Sequence, residues 1–339
     1  MVTALGFNAP ATLAALGAGV TGIAQVPWLD SESGKPLRGA KVALPQWWEG
    51  LGKLADLAAP AINECLQAAA PESADNVPIL LGVAEADRPG RTEALTERLL
   101  GEIELRLSLG RHRDSRVYPY GQVGCVIALQ DALQIIGSGR AKACVVAGVD
   151  SFLHQPTLDA YIARRRLMTA SNSNGFFPGE AACAVLVAAA DSMPRDELRL
   201  LGMGRGFEPA TINGVDPLRA VGMTQATRQA LESAGIALQD VAFRITDLSG
   251  EHYKFKEALF VLTRLDRGVR QGALDLWHPI EYLGEIGAAI LPCILGWALH
   301  SQQFGYAPGP LVLCHVGSDD GQRAAIIAAA RLMEEASVG

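Results

Sequence analysis

Residues 116–150 read RVYPYGQVGCVIALQDALQIIGSGRAKACVVAGVD, and the reading of this stretch decides the fold. A helical pattern rich in small and apolar residues runs over 122–136, opening just after Gly121. A turn at Gly137, Ser138 and Gly139 stops it. The strand ACVVAG follows with no polar alternation, which marks a strand covered on both faces. A helix leading into a buried strand is the repeating unit of a largely parallel α/β protein. Gly124 and Ala128 let the helix pack closely against its neighbours. Gln122 opens the helix, at the place where backbone N–H groups and the helix dipole would activate a nucleophile. A side-chain amide cannot form a thioester there.

The same alternation extends along the chain. Strands are expected over 2–6, 78–82, 143–147, 182–188, 198–206, 243–247 and 311–316. Helices are expected over 46–67, kinked or broken at Pro60, and over 91–107, 122–136, 223–234, 254–267 and 284–301. An exposed helix is expected within 319–335, and 11–23 has no obvious reading. With 339 residues, 49% of them hydrophobic, the chain can bury a large core, as two domains or one duplicated one.

A net charge of −7 argues against nucleic acid or an anionic membrane as partner. The run Arg164, Arg165, Arg166 reads as a solvated helix end. The six cysteines include no CxxC pair and read as buried reduced thiols, so neither a metal nor a cofactor is expected. The N-terminus lacks the pattern of a signal peptide, and the apolar stretch around 286–299 is interrupted by Pro292 and too short to span a bilayer. A cytoplasmic protein is the expectation.

The stretch 116–150 resembles the nucleophile elbow, buried helix and following strand of the β-ketoacyl synthases of the thiolase superfamily. In that family a Cys ends a strand and opens the helix; counting back from Gly139, its position falls on Gln122. The resemblance implies an α/β, thiolase-like fold of two similar halves in five α/β/α/β/α layers. The halves would be residues 1–190 and 197–339, linked by the charged stretch 191–196. NGFFPGEAACAVLV (174–187) is similar to the family's GFxxGEGAG segment, which makes Glu180 a packing and hydrogen-bonding residue and not a general base.

Three further positions carry the comparison. After the strand over 243–247 the family places an HGTxT-type motif, and the matching residue here is Asp247 or Leu248, with His252 too far along. YLGEIGAAILPCILGWAL (282–299) resembles the GHxxGAAG segment, with Glu285 at the second His position. The Gly-rich turn that supplies an oxyanion donor is here Gly317, Ser318, Asp319, Asp320 and Gly321, whose two carboxylates would repel developing negative charge. Cys125, one turn beyond Gln122, reads as a structural thiol. Gln122, Cys125, Phe176, Leu248, Glu285 and Ser318 would be the remnant of the pocket.

The resemblance therefore implies a protein without condensing activity that acts by protein binding. The wording AGVDSFL, RLMTASNSNGFFPGEAACAVL and GYAPGPLVLCHVGSDDGQRAA is similar to the short ketosynthase-like proteins of type VI secretion effector clusters, which implies an accessory or adaptor role beside an effector. The alternative is a chain-length factor, which also carries Gln at this position and pairs with an active synthase. Gln-bearing malonyl decarboxylases keep both histidines and fit less well, and an active synthase or acyltransferase would have to use Cys125. Implied partners are a second copy or a thiolase-fold relative, an effector or secretion component, and an acyl carrier protein. The strand at 143–147 is expected at the seam of a dimer.

Overall fold

Apolar runs become strands inside two sheets, and the amphipathic Ala/Leu-rich runs become the helices that cover them. The computed structural model describes residues 1–46, 48–69, 72–193, 195–268 and 272–333. The chain begins with α1 (Ala9–Gly17), the hairpin β1 (Ala24–Leu29) and β2 (Pro36–Gly39), α2 (Leu51–Ala68), β3 (Ile79–Gly82) and α3 (Leu95–Leu107). It continues through β4 (Arg116–Tyr118), α4 (Gly124–Gly137), β5 (Ala143–Ser151), α5 (Gln155–Ala163) and β6 (Glu180–Ala188). Then come β7 (Glu197–Phe207), α6 (Val221–Ala234), β8 (Phe243–Thr246), α7 (His252–Leu265) and β9 (Asp275–Trp277). The last elements are α8 (Ile280–Leu283), α9 (Ile290–Gln303), β10 (Leu311–Gly317) and β11 (Gln322–Arg331).

The two large sheets repeat one topology. The first runs β4-β3-β5-β6, parallel except for the antiparallel β5–β6 pair, and Val2 bridges Ala182 antiparallel on the far side of β6. The second runs β9-β8-β10-β11-β7, parallel across its first three strands and antiparallel across the last two pairs. Val2 thus stands where β7 stands in the second sheet. The duplication is invisible in the sequence and plain in the strand order.

Helices α4 and α9 lie between the sheets, α2 and α3 cover the first, and α6 and α7 cover the second. The five layers are those that the resemblance implies. One apolar cluster crosses them, with Leu80 and Val146 from the first sheet, Leu129 and Ile294 from the central helices, and Phe243 and Ile326 from the second sheet. Each such side chain contributes about 1.5–3 kcal/mol by leaving water. Among the described residues no helix is long and apolar enough to cross a membrane.

Several expectations are corrected. The exposed helix within 319–335 is instead β11, buried from Arg323 to Ala328 and paired on both sides. Its Ala-rich run favours a helix locally, but two neighbouring strands and two covering layers override that preference; residues 334–335 lie outside the described ones. The strand at 2–6 is reduced to isolated bridges, because a Thr3–Gly6 turn bends the chain into α1, which Asn8 caps and which runs on into the unread stretch 11–23. α2 begins only at Leu51 (Trp47 lies outside the described residues) and continues through Pro60, whose ring sits on the exposed face. The helix at 284–301 starts at Ile290, after a 3-10 turn at Gly287–Ala289.

The seam at 143–147 is also corrected. Val145 is 0% exposed and pairs with Ile79 on one side and Leu186 on the other, so this strand lies inside its sheet. The edges of this sheet are β4, which precedes the elbow, and β6, whose outer side meets the isolated Val2 bridge. Val145→Asp is therefore expected to destabilise the folded chain by about 4 kcal/mol, as an unpaired charge in a dry core does. Urea denaturation checks this, and a midpoint close to that of the unsubstituted chain would contradict the interior placement.

Candidate functional site

The elbow is built from backbone geometry. Gly121 takes φ +54°, and its N–H donates to the Val83 carbonyl at the end of the β3 strand. The positive φ favours glycine, and a Cβ there would lie 2.5 Å from Glu85 Oε2 and push that side chain from its place beside Arg88. Gln122 follows in a 3-10 turn that runs into α4, and it is only 5% exposed. Its Nε2 donates to Glu285 Oε1 at 3.4 Å, while its Oε1 is buried without a partner.

Glu285 is held by the main chain on both sides, its N–H donating to the Phe177 carbonyl and its own carbonyl accepting from Gly179. Its side-chain Oε1 also accepts from the Gly287 N–H at 2.8 Å. Burial pushes its carboxyl up to about 7, against the pull of Lys254. In its protonated form Glu285 is a donor, and turning the Gln122 amide over would then satisfy the orphan oxygen.

Ser318 joins the two parts of the chain at this point. Its Oγ accepts from the Val123 N–H at 3.2 Å and donates to the Tyr120 carbonyl at 2.9 Å. Asp247, at the end of β8, accepts from the Gly317 N–H at 2.9 Å and from Lys254 Nζ at 2.7 Å. Burial alone would lower Lys254, but Asp247 and Glu285 together hold it above its ordinary range. Ala288 N–H, beside Glu285, donates to Asp150 Oδ2 at 3.1 Å. The backbone donors of Val123, Gly287, Ala288 and Gly317 are thus each already taken by a side chain of this protein.

The space around them is filled by buried ion pairs. Arg88 reaches Asp150 at 3.0 Å and Glu85 at 2.7 Å, with its guanidinium 4.0 Å over the Phe152 ring. Arg166 reaches Glu251 at 2.7 Å and Asp319 at 2.5 Å. Arg323 reaches Glu257 at 2.9 Å. Between Asp247, Lys254, Ser318 and Asp319 a cleft of about 10 Å³ remains, room for about one water.

Two readings of the sequence change here. Arg166 is not a solvated helix end: it is buried between two carboxylates. Asp319 is not a bare repelling charge. Burial alone would raise its carboxyl, but Arg166 holds it below the ordinary range. Asp320 accepts from Gln322 in the turn before β11.

Of the residues expected to form the pocket remnant, Gln122, Glu285 and Ser318 come together, with Asp247, the position matched to the HGTxT-type motif, beside them. Cys125 does not face them: its Sγ donates at 3.3 Å to the carbonyls of Ala147 and Ala288, and burial pushes the thiol up, away from the reactive thiolate. Phe176 packs edge-on against Phe152 and Tyr161 at 5.4 and 5.3 Å, and Leu248 is buried beyond β8. Glu180 is a structural tie, accepting from Val42 N–H and Ser151 Oγ and pairing with Lys53 at 2.6 Å.

Arg88, Asp150, Lys254 and Glu251 escaped the sequence reading. Nothing local marks any of them, because the partner of each is distant in sequence or set by a turn. Among the described residues no three His, Cys, Asp or Glu side chains gather as metal ligands.

Neither a family model nor a curated protein sequence matches this chain. Solved structures do. The ishigamide ketosynthase/chain length factor superposes with a TM-score of 0.70 at 20% identity, over 98% of this chain and 97% of that one. The ketosynthase ApeO in complex with its chain length factor ApeC, from Xenorhabdus doucetiae, gives 0.73 at 15% identity, over 97% and 96%. AntDE:AntF, a type II polyketide acyl-carrier protein in complex with its ketosynthase bound to the hexaketide, gives 0.75 at 13% identity, over 97% and 96%. The fold is thiolase-like. At these identities the likeness establishes the fold alone.

Two measurements test the site. Arg166→Leu leaves Glu251 and Asp319 as uncompensated buried charges and is expected to cost about 3–5 kcal/mol in urea denaturation. The Glu285 carboxyl rises from an ordinary value of 4.5 to about 7 on folding. The native state therefore binds the extra proton, and this contribution to stability is full below about 4.5 and lost as pH rises through about 7. Glu285→Gln is expected to gain on the unsubstituted chain across that window, reaching about 3 kcal/mol by pH 8. Equal pH dependence of the two would refute the assignment.

Proposed function

We propose that this chain is a non-catalytic thiolase-fold protein that acts by binding a second thiolase-fold chain, as a chain length factor stands beside its ketosynthase. The observation that carries this reading is the prior occupation of four backbone donors around the site. Val123, Gly287, Ala288 and Gly317 N–H groups are engaged by Ser318, Glu285, Asp150 and Asp247, so none is free to hold an oxyanion. Gln122 offers no nucleophile, and the Cys125 thiol is enclosed. A carboxylate at 285 cannot supply the N–H donor that an imidazole would.

Partner binding is supported by the complexes named among the structural neighbours and by β4, paired on one side alone among the described residues. An open strand edge is a template for another chain's strand. On this reading residues 1–190 and 197–339 are the two thiolase-like halves, and an acyl carrier protein is a possible transient partner. A second reading, an adaptor for a type VI secretion effector, draws on the sequence resemblance and shares the loss of chemistry while changing the partner.

Intact-mass measurement after incubation with acyl-CoA, acyl-carrier protein and malonyl-CoA tests the common ground. No acyl adduct and no CO₂ release are expected from the protein, and Gln122→Cys is expected to remain without condensing turnover because a carboxyl stands at position 285 and the N–H groups of Val123, Gly287, Ala288 and Gly317 stay occupied. An adduct that disappears in Cys125→Ala would overturn the reading and restore an enzyme.

A further inference from the structure

The chain contains two Asn-Gly pairs, Asn174–Gly175 and Asn213–Gly214, and the sequence does not separate them. Both asparagines are exposed. An asparagine before glycine can cyclise, because the next amide nitrogen reaches the side-chain carbonyl carbon with no Cβ in the way.

The structure treats the two pairs differently. At Asn213–Gly214 the nitrogen is engaged: the Gly214 N–H donates to the Thr211 carbonyl at 2.9 Å. No hydrogen bond among the described residues reaches the Asn213 side chain. At Asn174–Gly175 the arrangement is reversed. Gly175 is buried, yet its N–H has no acceptor among the described residues, a rare state for a buried amide. The Asn174 Oδ1 meanwhile accepts from the His252 N–H at 2.8 Å.

His252 is the first residue of α7, whose N-cap Glu251 makes no side-chain capping bond. The donor is thus an orphan N–H at the positive end of a 14-residue helix. It already holds the atom that becomes an oxyanion when Asn174 Cγ is attacked. The Asn174 Nδ2, which must leave, is held by no hydrogen bond among the described residues. Asn172 in the same loop shows the opposite case, its Nδ2 retained by the carbonyls of Arg165, Leu167 and Asn174. Packing sets the glycine, since a Cβ at 175 would lie 2.5 Å from the Leu167 carbonyl carbon.

We propose that Asn174 is a self-modification site of the folded chain, where the Gly175 nitrogen closes a succinimide on the Asn174 side chain and water opens it to an acidic residue. Hydroxide takes the Gly175 amide proton, the nitrogen bonds to Cγ, and the Cγ–Nδ2 bond breaks as ammonia leaves with a proton from water. Water then cleaves one of the two ring carbonyl–nitrogen bonds and returns a proton to the nitrogen, leaving aspartate or isoaspartate. The net change is amide plus water to carboxylate plus ammonium, with no oxidation. The new charge stands at the start of α7, the helix that brings Lys254 to Asp247 and Glu257 to Arg323. Aspartate keeps the bond to the His252 N–H and suits the helix dipole. Isoaspartate lengthens the main chain beside Gly175, whose carbonyl oxygen would lie 2.3 Å from a Cβ at Gly250, and so disturbs that contact. The inference does not rest on the proposed function.

The test is peptide mapping by mass spectrometry of the full chain held at mildly alkaline pH, folded and in urea. In the folded chain Asn174 is expected to convert on the order of tenfold faster than Asn213, and in urea the two should convert alike. This comparison needs no variant to fold. His252→Pro removes the donor and keeps the helix, because proline is accepted at the first helical position and Glu251 is already extended. It should slow Asn174 by about tenfold and leave Asn213 unchanged, with thermal melting to confirm the fold. Asn174→Gln should remove the mass change from the peptide that also carries Asn172. Asn213 converting as fast as Asn174 in the folded chain would overturn the proposal. So would a mass change that persists in Asn174→Gln, which would assign the reaction to Asn172. An unchanged or faster Asn174 in folded His252→Pro would also overturn it, because the α7 N–H would then restrain the amide and not activate it.

Discussion

A carboxylate removed from water must be given a cation or several N–H donors, and Asp150 receives both. It is the next-to-last residue of β5, pairs with Arg88 from the loop after β3, and accepts from the Ala288 N–H just before α9. One buried side chain thereby fixes the strand, the loop and the start of the central helix with respect to one another. Position 287 is fitted to it as well, since a Cβ there would overlap the Asp150 carboxylate. Arg88 in turn stacks on Phe152 and reaches Glu85, which lies against Gly121 at the elbow. Breaking this pair would expose the geometry of both Gln122 and Glu285 to rearrangement.

The same rule explains why the site is full. Each charge placed near the elbow came with a partner: Lys254 with Asp247, Arg166 with Glu251 and Asp319, Arg323 with Glu257. Removing one member of such a pair costs more than the pair contributes, so the network is held as a unit. Donors committed to this network cannot also receive a developing oxyanion. On the proposed reading, the loss of condensing chemistry belongs to the whole constellation and not to Gln122 alone.

Legibility in the sequence followed the range of the interaction. The helix after Gly121 and the buried strand after Gly139 could be read because neighbouring residues set them, whereas the structural role of Glu180, whose partners Val42 and Lys53 are distant in sequence, was legible only through the family resemblance. The run AAIIAAA of β11 was misread because helix propensity is local, while the pairing with β10 and β7 that decides it is not. Arg166 was misread for the same reason: nothing in the run of three arginines distinguishes the one that finds Glu251 and Asp319, 85 and 153 residues away.

The sequence by itself determined the alternation of helices and strands, the absence of a thiol at the elbow, and the carboxylates at 247 and 285, because these depend on residue identity and short-range periodicity. Only the tertiary structure decided which strand is an edge, that two sheets share one strand order, and that the elbow's donors are already occupied. Burial is the reason: a hydrogen bond or charge acquires its weight only when water is gone, and which groups lose water is settled by segments far apart in the chain.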